Sequence, residues 1–141
     1  MIPTVPFGWG LVLNAAHAMV NNAYIEIFLW SVIADLFTGI VKSFTARAKI
    51  KADSSTGLRG LAKHLLIMLL VLTIYPILDV LHFDTVSNAV VLFYIAEYAI
   101  SILENLETMG FPIPDFLKMK FEKMAEDANK EEGSPSNEIK K

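Results

Sequence analysis

Between residues 14 and 45, a polar stripe runs along an otherwise apolar helical pattern. Stepping alternately by three and four residues from Asn14 meets a polar side chain at nearly every stop, which keeps one helical face in line. The members of this polar stripe are Asn14, His17, Asn21, Tyr24, Ser31, Asp35, Thr38, Lys42 and Thr45, with Phe28 as the apolar exception. Soluble amphipathic helices show the reverse balance, a limited apolar stripe and a broad solvated face. The pattern favours a helix surrounded by lipid; a buried helix of a soluble bundle is the alternative.

Three apolar segments predict membrane-spanning helices, at about residues 22–42, 61–80 and 85–108. Each has roughly the twenty residues that cross a hydrocarbon core of about 30 Å. Residues 54–57 read Ser-Ser-Thr-Gly, which is typical of a turn before the second span. Gly110 is suited to end the third span, and the prolines that follow it prevent continuation. The predicted fold class is an all-α membrane protein, with residues 1–128 as a single helical membrane domain.

The two ends of the chain have different patterns. Residues 1–21 carry no charged side chain, and a helix beginning near Leu11 fits either an interfacial position or the outer end of a span. Residues 115–128 place Leu117, Phe121 and Met124 at helical spacing among lysines and acids, which predicts an amphipathic helix for a membrane surface or a partner. Residues 129–141 are mostly polar, and we expect a disordered tail.

Composition supports the membrane class and the charge distribution predicts an orientation. Hydrophobic residues make up 54% of the chain and charged residues 19%, with a mean hydropathy of +0.47. All twelve Lys and Arg lie in residues 42–63 or 118–141. The positive-inside rule therefore predicts that both segments, and with them the C-terminus, are cytoplasmic, and that the N-terminus and residues 81–84 are outside. The net charge of -3 offers no strong basic surface, so no nucleic-acid partner is expected.

Enzyme chemistry finds little support in the residue pattern. There is no cysteine, which excludes thiol nucleophiles and thiolate metal sites. His17, His64 and His82 are far apart and lack metal-ligand spacing, and no glycine pattern forms a phosphate-binding motif. The sequence therefore predicts no catalytic residue, no metal and no cofactor.

Ionisable residues within the spans are the candidates for function. Asp35 lies in the first span, and Glu97 and Glu104 lie in the third. A charge at mid-bilayer costs about 2.5–3.5 kcal/mol on insertion scales, so these side chains are expected to face protein or water. Three helices offer little interior, and association of several copies with polar stripes inward is the simplest solution. The alternative is pairing within one chain, for example Asp35 with a Ser or Asn of the third span.

These considerations define a set of predicted lining or assembly residues. Gly39 joins the set because a small residue allows close helix approach. The full set is Ser31, Asp35, Thr38, Gly39, Lys42, Glu97, Ser101, Glu104 and Asn105.

Four segments resemble a known family, the toxin-secretion and phage-lysis holins of Gram-positive bacteria and their phages. They are DLFTG at 35–39, SSTGLRGLAK at 54–63, YIAE at 94–97 leading to SILENL at 101–106, and MGFPIP at 109–114 followed by Leu117 and Lys118. Their order and spacing match the family's pattern from about residue 25 to 120. The run SILEN followed by Gly-x-Pro-x-Pro is the more specific part.

The resemblance implies a small protein of the bacterial cytoplasmic membrane that associates with copies of itself and opens a lesion. An endolysin or toxin leaves through this lesion without requiring direct contact, and no substrate, cofactor or catalytic position is implied. The alternative is a membrane-anchored structural or regulatory protein, similar to an antiholin, whose C-terminal amphipathic helix recruits a cytoplasmic partner.

Overall fold

The computed structural model describes residues 8–46 and 54–133, and every regular element in these ranges is helical. The elements are α1 (Trp9–Ala18), a 3-10 turn (Met19–Asn21), α2 (Ala23–Ala46), α3 (Ser54–Val80), α4 (Asp84–Thr108) and α5 (Asp115–Gly133). The all-α fold class is therefore confirmed.

Three of the helices are long and apolar enough to cross a membrane. Their candidate spans are Ala23–Thr45, Gly57–Val80 and Asp84–Thr108, which confirms the number of spans. The second helix begins earlier than predicted, because Ser54–Gly57 form its first turn instead of a separate turn. Ser and Thr favour helix N-termini as well as turns, so their residue types alone do not separate the two cases.

The N-terminal helix α1 is joined to the bundle by Asn22. The side-chain Oδ1 of Asn22 accepts a hydrogen bond from the backbone N–H of Tyr24 (2.9 Å), which caps α2. Its Nδ2 donates to the hydroxyl of Tyr75 in α3 (2.7 Å). Helix α1 packs on α3, and its 10 residues extend about 15 Å, half of a hydrocarbon core. Residues 1–7 lie outside the described ranges.

The core of the bundle lies between α2, α3 and α4. Phe28 and Val32 of α2 pack with Val71 of α3 and with Val91 and Ile95 of α4. Phe28, the apolar member of the polar stripe, is 0% exposed. The middle of the stripe, residues 28–42, therefore lies on the face of α2 that points into the bundle, while Trp30, Ile33 and Phe37 are exposed on the outside. At the two ends of α2, Tyr24 and Thr45 of the stripe are exposed. This inversion of the soluble pattern is expected of a helix whose surroundings are apolar.

Helix α4 ends where the sequence predicts and is followed by a sharp reversal. Gly110 has a φ of 92°, its N–H donates to the carbonyl of Glu107 (2.9 Å), and the N–H of Phe111 donates to the carbonyl of Leu106 (3.1 Å). These two bonds form a Schellman motif, whose left-handed residue is most easily supplied by glycine. The chain then turns back, and α5 packs along α4.

Helix α5 continues to Gly133, five residues beyond the predicted end at 128, so the start of the expected disordered tail is helical. Lys130 Nζ lies 2.7 Å from Glu126 Oε1, and ion pairs at this spacing support helix formation. The hydrogen bond from Lys130, together with its charge, lowers the pKa of Glu126. Residues 134–141 lie outside the described ranges.

A second Schellman motif closes α3, but its left-handed position holds a histidine. His82 has a φ of 60°, its N–H donates to the carbonyl of Asp79 (3.0 Å), and the N–H of Phe83 donates to that of Leu78 (2.9 Å). We expect His82→Gly to raise the free energy of unfolding by about 1 kcal/mol, because glycine removes the steric cost of this conformation. Denaturant unfolding in detergent measures the change. Leu81→Gly, one position earlier, should give no increase, and an equal gain would contradict the assignment.

Candidate functional site

A buried carboxylate lies at the centre of the polar contacts between the spans. Asp35 is 3% exposed on the inward face of α2. Its Oδ1 accepts a hydrogen bond from Asn105 Nδ2 of α4 (3.3 Å), and its Oδ2 lies 3.5 Å from His64 Nε2 of α3. One side chain therefore connects all three spans. Because a carboxylate is strongly disfavoured in an apolar interior, these partners are what make its burial tolerable.

Asn105 joins Asp35 to the polar end of α2. Its Nδ2 also donates to Thr38 Oγ1 (3.2 Å), and its Oδ1 accepts from Lys42 Nζ (3.2 Å). The NH2 group of the amide therefore donates to Asp35 and Thr38, and its oxygen accepts from Lys42. These three residues lie three to four positions apart on α2. This spacing is the i, i+3, i+7 period of one helical face.

His64 is held between Asp35 and a buried tyrosine. Its Nδ1 lies 3.4 Å from Tyr98 OH, and the two rings are tilted by 34° at a centroid distance of 5.5 Å. Tyr98 also meets Phe28 edge-on at 5.9 Å. The Nε2 atom of His64 thus faces Asp35 and its Nδ1 atom faces Tyr98, so the ring bridges the two side chains. We name the group Asp35, Thr38, Lys42, His64, Tyr98 and Asn105 the polar network.

A cavity of about 390 Å³ lies beside the polar network, between α3 and α4, and Asp35 forms part of its wall. Charged and polar groups line one side of it: Lys63, His64, Glu97, Ser101 and Glu104. Glu97 and Glu104 are exposed, and Lys118 of α5 lies 3.4 Å from Glu104 and 3.8 Å from Glu107. The cavity therefore provides a polar space next to an otherwise enclosed carboxylate. Within the described ranges, no group of three or more His, Asp or Glu side chains is arranged to hold a metal ion.

Seven of the nine predicted residues form two groups in the structure. Asp35, Thr38, Lys42 and Asn105 meet in the polar network, so Asp35 and an Asn of the third span pair within one chain, which was the alternative expectation. Glu97, Ser101 and Glu104 line the cavity. Three helices were expected to enclose few polar side chains, but the bundle buries both Asp35 and Asn105.

Ser31 and Gly39 take part in neither group of side-chain contacts. Ser31 Oγ donates to the carbonyl of Ile27 in its own helix (2.8 Å). A Cβ added at Gly39 would lie 3.8 Å from Asn105 Nδ2, an ordinary van der Waals distance. Close approach within one subunit therefore does not require glycine at position 39.

Three partners in these contacts were not predicted: His64, Tyr98 and Lys118. In the sequence, His64 is one of three histidines far apart from one another, and it directly precedes the long uncharged run of the second span. Tyr98 lies one residue after Glu97 on an apolar helix, and Lys118 belongs to the amphipathic segment. No spacing rule within one helix connects them to Asp35 or Glu104, since each contact joins two different helices.

Comparison with known proteins identifies the family to which this arrangement belongs. A profile of the bacteriophage holin family matches residues 17–126, which include the three candidate spans, the polar network and most of α5. The chain belongs to the bacteriophage holin family. This confirms the resemblance carried by the four sequence segments, and it supports a holin-like role for a multi-pass membrane protein of a family that is not enzymatic.

Relatives of this holin-family chain occur in Gram-positive bacteria. It is 31% identical over 112 residues to the uncharacterized protein Lin0175 of Listeria innocua, covering 79% of this chain and 77% of that protein. It is 35% identical over 121 residues to the uncharacterized protein CPE0383 of Clostridium perfringens, covering 84% and 82%. An uncharacterized 14.9 kDa protein from the nagH 3' region of Clostridium perfringens is 30% identical over 122 residues, covering 82% and 90%. No solved structure matches the chain significantly.

The polar network generates a stability prediction centred on Asn105. Asn105→Leu keeps the branched shape and the number of side-chain heavy atoms but leaves Asp35 and Thr38 without the amide, so we expect the free energy of unfolding to fall by about 1–3 kcal/mol. Ser43→Ala is the control, because Ser43 is exposed and its Oγ donates to the carbonyl of Gly39 in the same helix. That change should stay within about 0.5 kcal/mol. Denaturant unfolding in detergent measures both, and equal effects would mean that the network does not stabilise the bundle.

Proposed function

We propose that this protein is a holin that associates with copies of itself in the bacterial cytoplasmic membrane and opens a lesion. An endolysin or toxin then leaves through the lesion, without a required contact to the holin, and the host cell lyses. The observation that carries the proposal is the match of the holin family across 17–126, which covers three apolar helices of spanning length.

The exposed surface supports association in a bilayer. Large apolar side chains remain exposed along α2 and α3, among them Ile33, Phe37, Leu65 and Leu69. A contiguous apolar surface of this kind is typical of contact with lipid or with another subunit. Asp35 and Asn105 are satisfied within the subunit, so in this proposal they hold the bundle together. Glu97 and Glu104 remain exposed, Glu104 beside Lys118, so both carboxylates can meet water in an assembly.

The alternative, a membrane-anchored regulatory protein, requires a free apolar face on α5. In the structure Ala125 and Ala128 are buried and Met124 packs against the bundle core. The protein's own helices therefore cover this part of α5, and Phe116 and Met119 near its start are the large apolar side chains that stay exposed. The covered part favours the holin proposal.

Expression of the chain by itself tests the proposal. Induction in a bacterium should stop growth and admit a membrane-impermeant dye within the same period, because an assembled lesion removes the permeability barrier. The measurement is dye fluorescence together with turbidity, and co-expression of an endolysin should convert growth arrest into rapid lysis. Continued growth at a confirmed level of membrane-inserted protein would support the regulatory alternative instead.

The proposed orientation places the turn between α3 and α4 outside and the turn between α4 and α5 in the cytoplasm. The native chain has no cysteine, and Phe83 and Phe111 are both exposed in these two turns. Before lysis begins, an impermeant thiol reagent on spheroplasts should label Phe83→Cys and spare Phe111→Cys, as the distribution of Lys and Arg predicts. Labelling both variants after detergent treatment controls for reactivity. The opposite pattern on intact spheroplasts would reverse the orientation.

A further inference from the structure

A groove of about 260 Å³ lies between α2 and α3, near the two helix ends that residues 47–53 connect. Leu36 and Ile40 of α2 and Leu61 of α3 form apolar parts of its wall. In the proposed orientation these helix ends are cytoplasmic. The groove therefore lies within the cytoplasmic leaflet of the bilayer.

Three glycines, Gly39, Gly57 and Gly60, also line this groove. A Cβ added at Gly57 or Gly60 would meet nothing within 4 Å, and one added at Gly39 would make an ordinary contact. Packing within the subunit therefore does not require glycine at these three positions. Their missing side chains leave space in which another molecule can lie close to the helix backbones.

The polar groups of the groove wall already have partners within the subunit. Asp35, His64 and Asn105 line the groove. The carboxylate of Asp35 accepts from Asn105 Nδ2 and lies beside His64 Nε2. Asp35 is also two turns of α2, about 10 Å, deeper in the bundle than Lys42. Its negative charge is therefore paired and distant from the mouth of the groove.

The mouth of the groove is positively charged. Lys42 Nζ donates to Asn105 Oδ1 (3.2 Å), which places the ammonium group at the groove wall and leaves two of its three N–H donors for another acceptor. Helix α3 begins at Ser54, and the backbone N–H groups of a first helical turn attract anions. Residues 47–53 add three basic side chains against one acid. An apolar groove with a basic mouth matches the two parts of an anionic phospholipid.

We propose that an anionic phospholipid of the cytoplasmic leaflet binds in this groove. Its phosphate lies beside Lys42 and the first turn of α3, and one acyl chain lies along Gly39, Gly57 and Gly60. The cytoplasmic leaflet carries a negative surface potential, and basic pockets between spanning helices on that side bind anionic headgroups. The site is independent of lesion formation and uses the proposed orientation only to assign the leaflet.

Charge favours a lipid over a second copy of the chain as the occupant. A parallel second copy brings the same basic residues, 42–63, to the same depth of the membrane, and like charges repel. The acids of α4 near that depth, Glu104 and Glu107, already pair with Lys118. A phosphate group supplies the negative charge that the mouth of the groove lacks.

A change of charge at the mouth tests the headgroup contact. Full-length protein in a mild detergent is mixed with equal amounts of phosphatidylglycerol and phosphatidylcholine of the same acyl chains, and native mass spectrometry measures the bound lipid. We expect one phosphatidylglycerol per chain and a preference of about fivefold over phosphatidylcholine, the factor that corresponds to one lysine near an anionic surface. Lys42→Gln should abolish this preference, because glutamine can still donate to Asn105 but carries no charge.

The matched control for this charge is Lys120→Gln, which removes one lysine from an exposed position of α5 and should leave the preference unchanged. Equal binding of the two lipids by the unmodified protein, or an equal loss in both variants, would overturn the inference. Complete displacement of phosphatidylglycerol by soluble glycerol phosphate would show a phosphate site that holds no acyl chain, which also overturns it.

Filling the groove tests the acyl-chain contact. Gly60→Leu should remove the bound phosphatidylglycerol, because the new side chain occupies the open space at this position. Gly10→Leu is the control, since a Cβ at Gly10 of α1 also meets nothing within 4 Å, and it should retain the lipid. Circular dichroism checks that both variants stay helical. If Gly60→Leu keeps the lipid but weakens cross-linking between copies, the groove belongs to a second copy and the inference is overturned.

None of these measurements requires a lesion. A protein that binds phosphatidylglycerol as expected but does not permeabilise cells would refute the proposed function and leave the lipid site intact. A protein that permeabilises cells but shows no preference for phosphatidylglycerol would refute only the lipid site.

Discussion

The fold depends on the burial of one carboxylate among three apolar helices. Asp35 can remain in the bundle because Asn105 and His64 approach it from α4 and α3. These contacts also fix the position of α4 relative to α2, because Asn105 simultaneously binds Thr38 and Lys42 on successive turns of α2. In lipid, helices gain little from burying apolar surface against each other, so packing and polar contacts of this kind provide much of the specificity. Tyr98, packed against both Phe28 and His64, connects the polar network to the apolar core.

This arrangement changes what a polar stripe means in a membrane helix. The middle of the stripe, residues 28–42, lies on the inner face of the subunit, with Phe28 in the core and Asp35 in the polar network. Polar groups that are satisfied inside a subunit give little reason for subunits to associate. In the proposed assembly the driving force must then come from other surfaces, which include the exposed apolar side chains of α2 and α3 and the exposed acids of α4.

The position of α5 depends on the reversal that follows α4. Because the left-handed Gly110 directs the chain back, α5 packs along α4 and its buried Ala125 and Ala128 are covered by the protein itself. The ion pairs of Lys118 with Glu104 and Glu107 hold the start of α5 at this reversal, although exposed pairs of this type contribute little stability individually.

The sequence by itself determined the features that depend on local pattern. Three apolar runs predicted three spanning helices, Gly110 predicted the end of α4, and the spacing of Asp35, Thr38 and Lys42 predicted a shared face, because helical periodicity and capping involve residues close in the chain. The family could also be recognised from short segments. The partners of Asp35 were decided only by the tertiary structure: Asn105 was one of several candidates, and His64 and Tyr98 were not anticipated. The packing of α5 along α4 could not be predicted either. An amphipathic pattern shows that a helix has an apolar face, but it does not show which surface covers that face. Contacts between helices distant in sequence depend on how all of them pack at once, and no single segment contains that information.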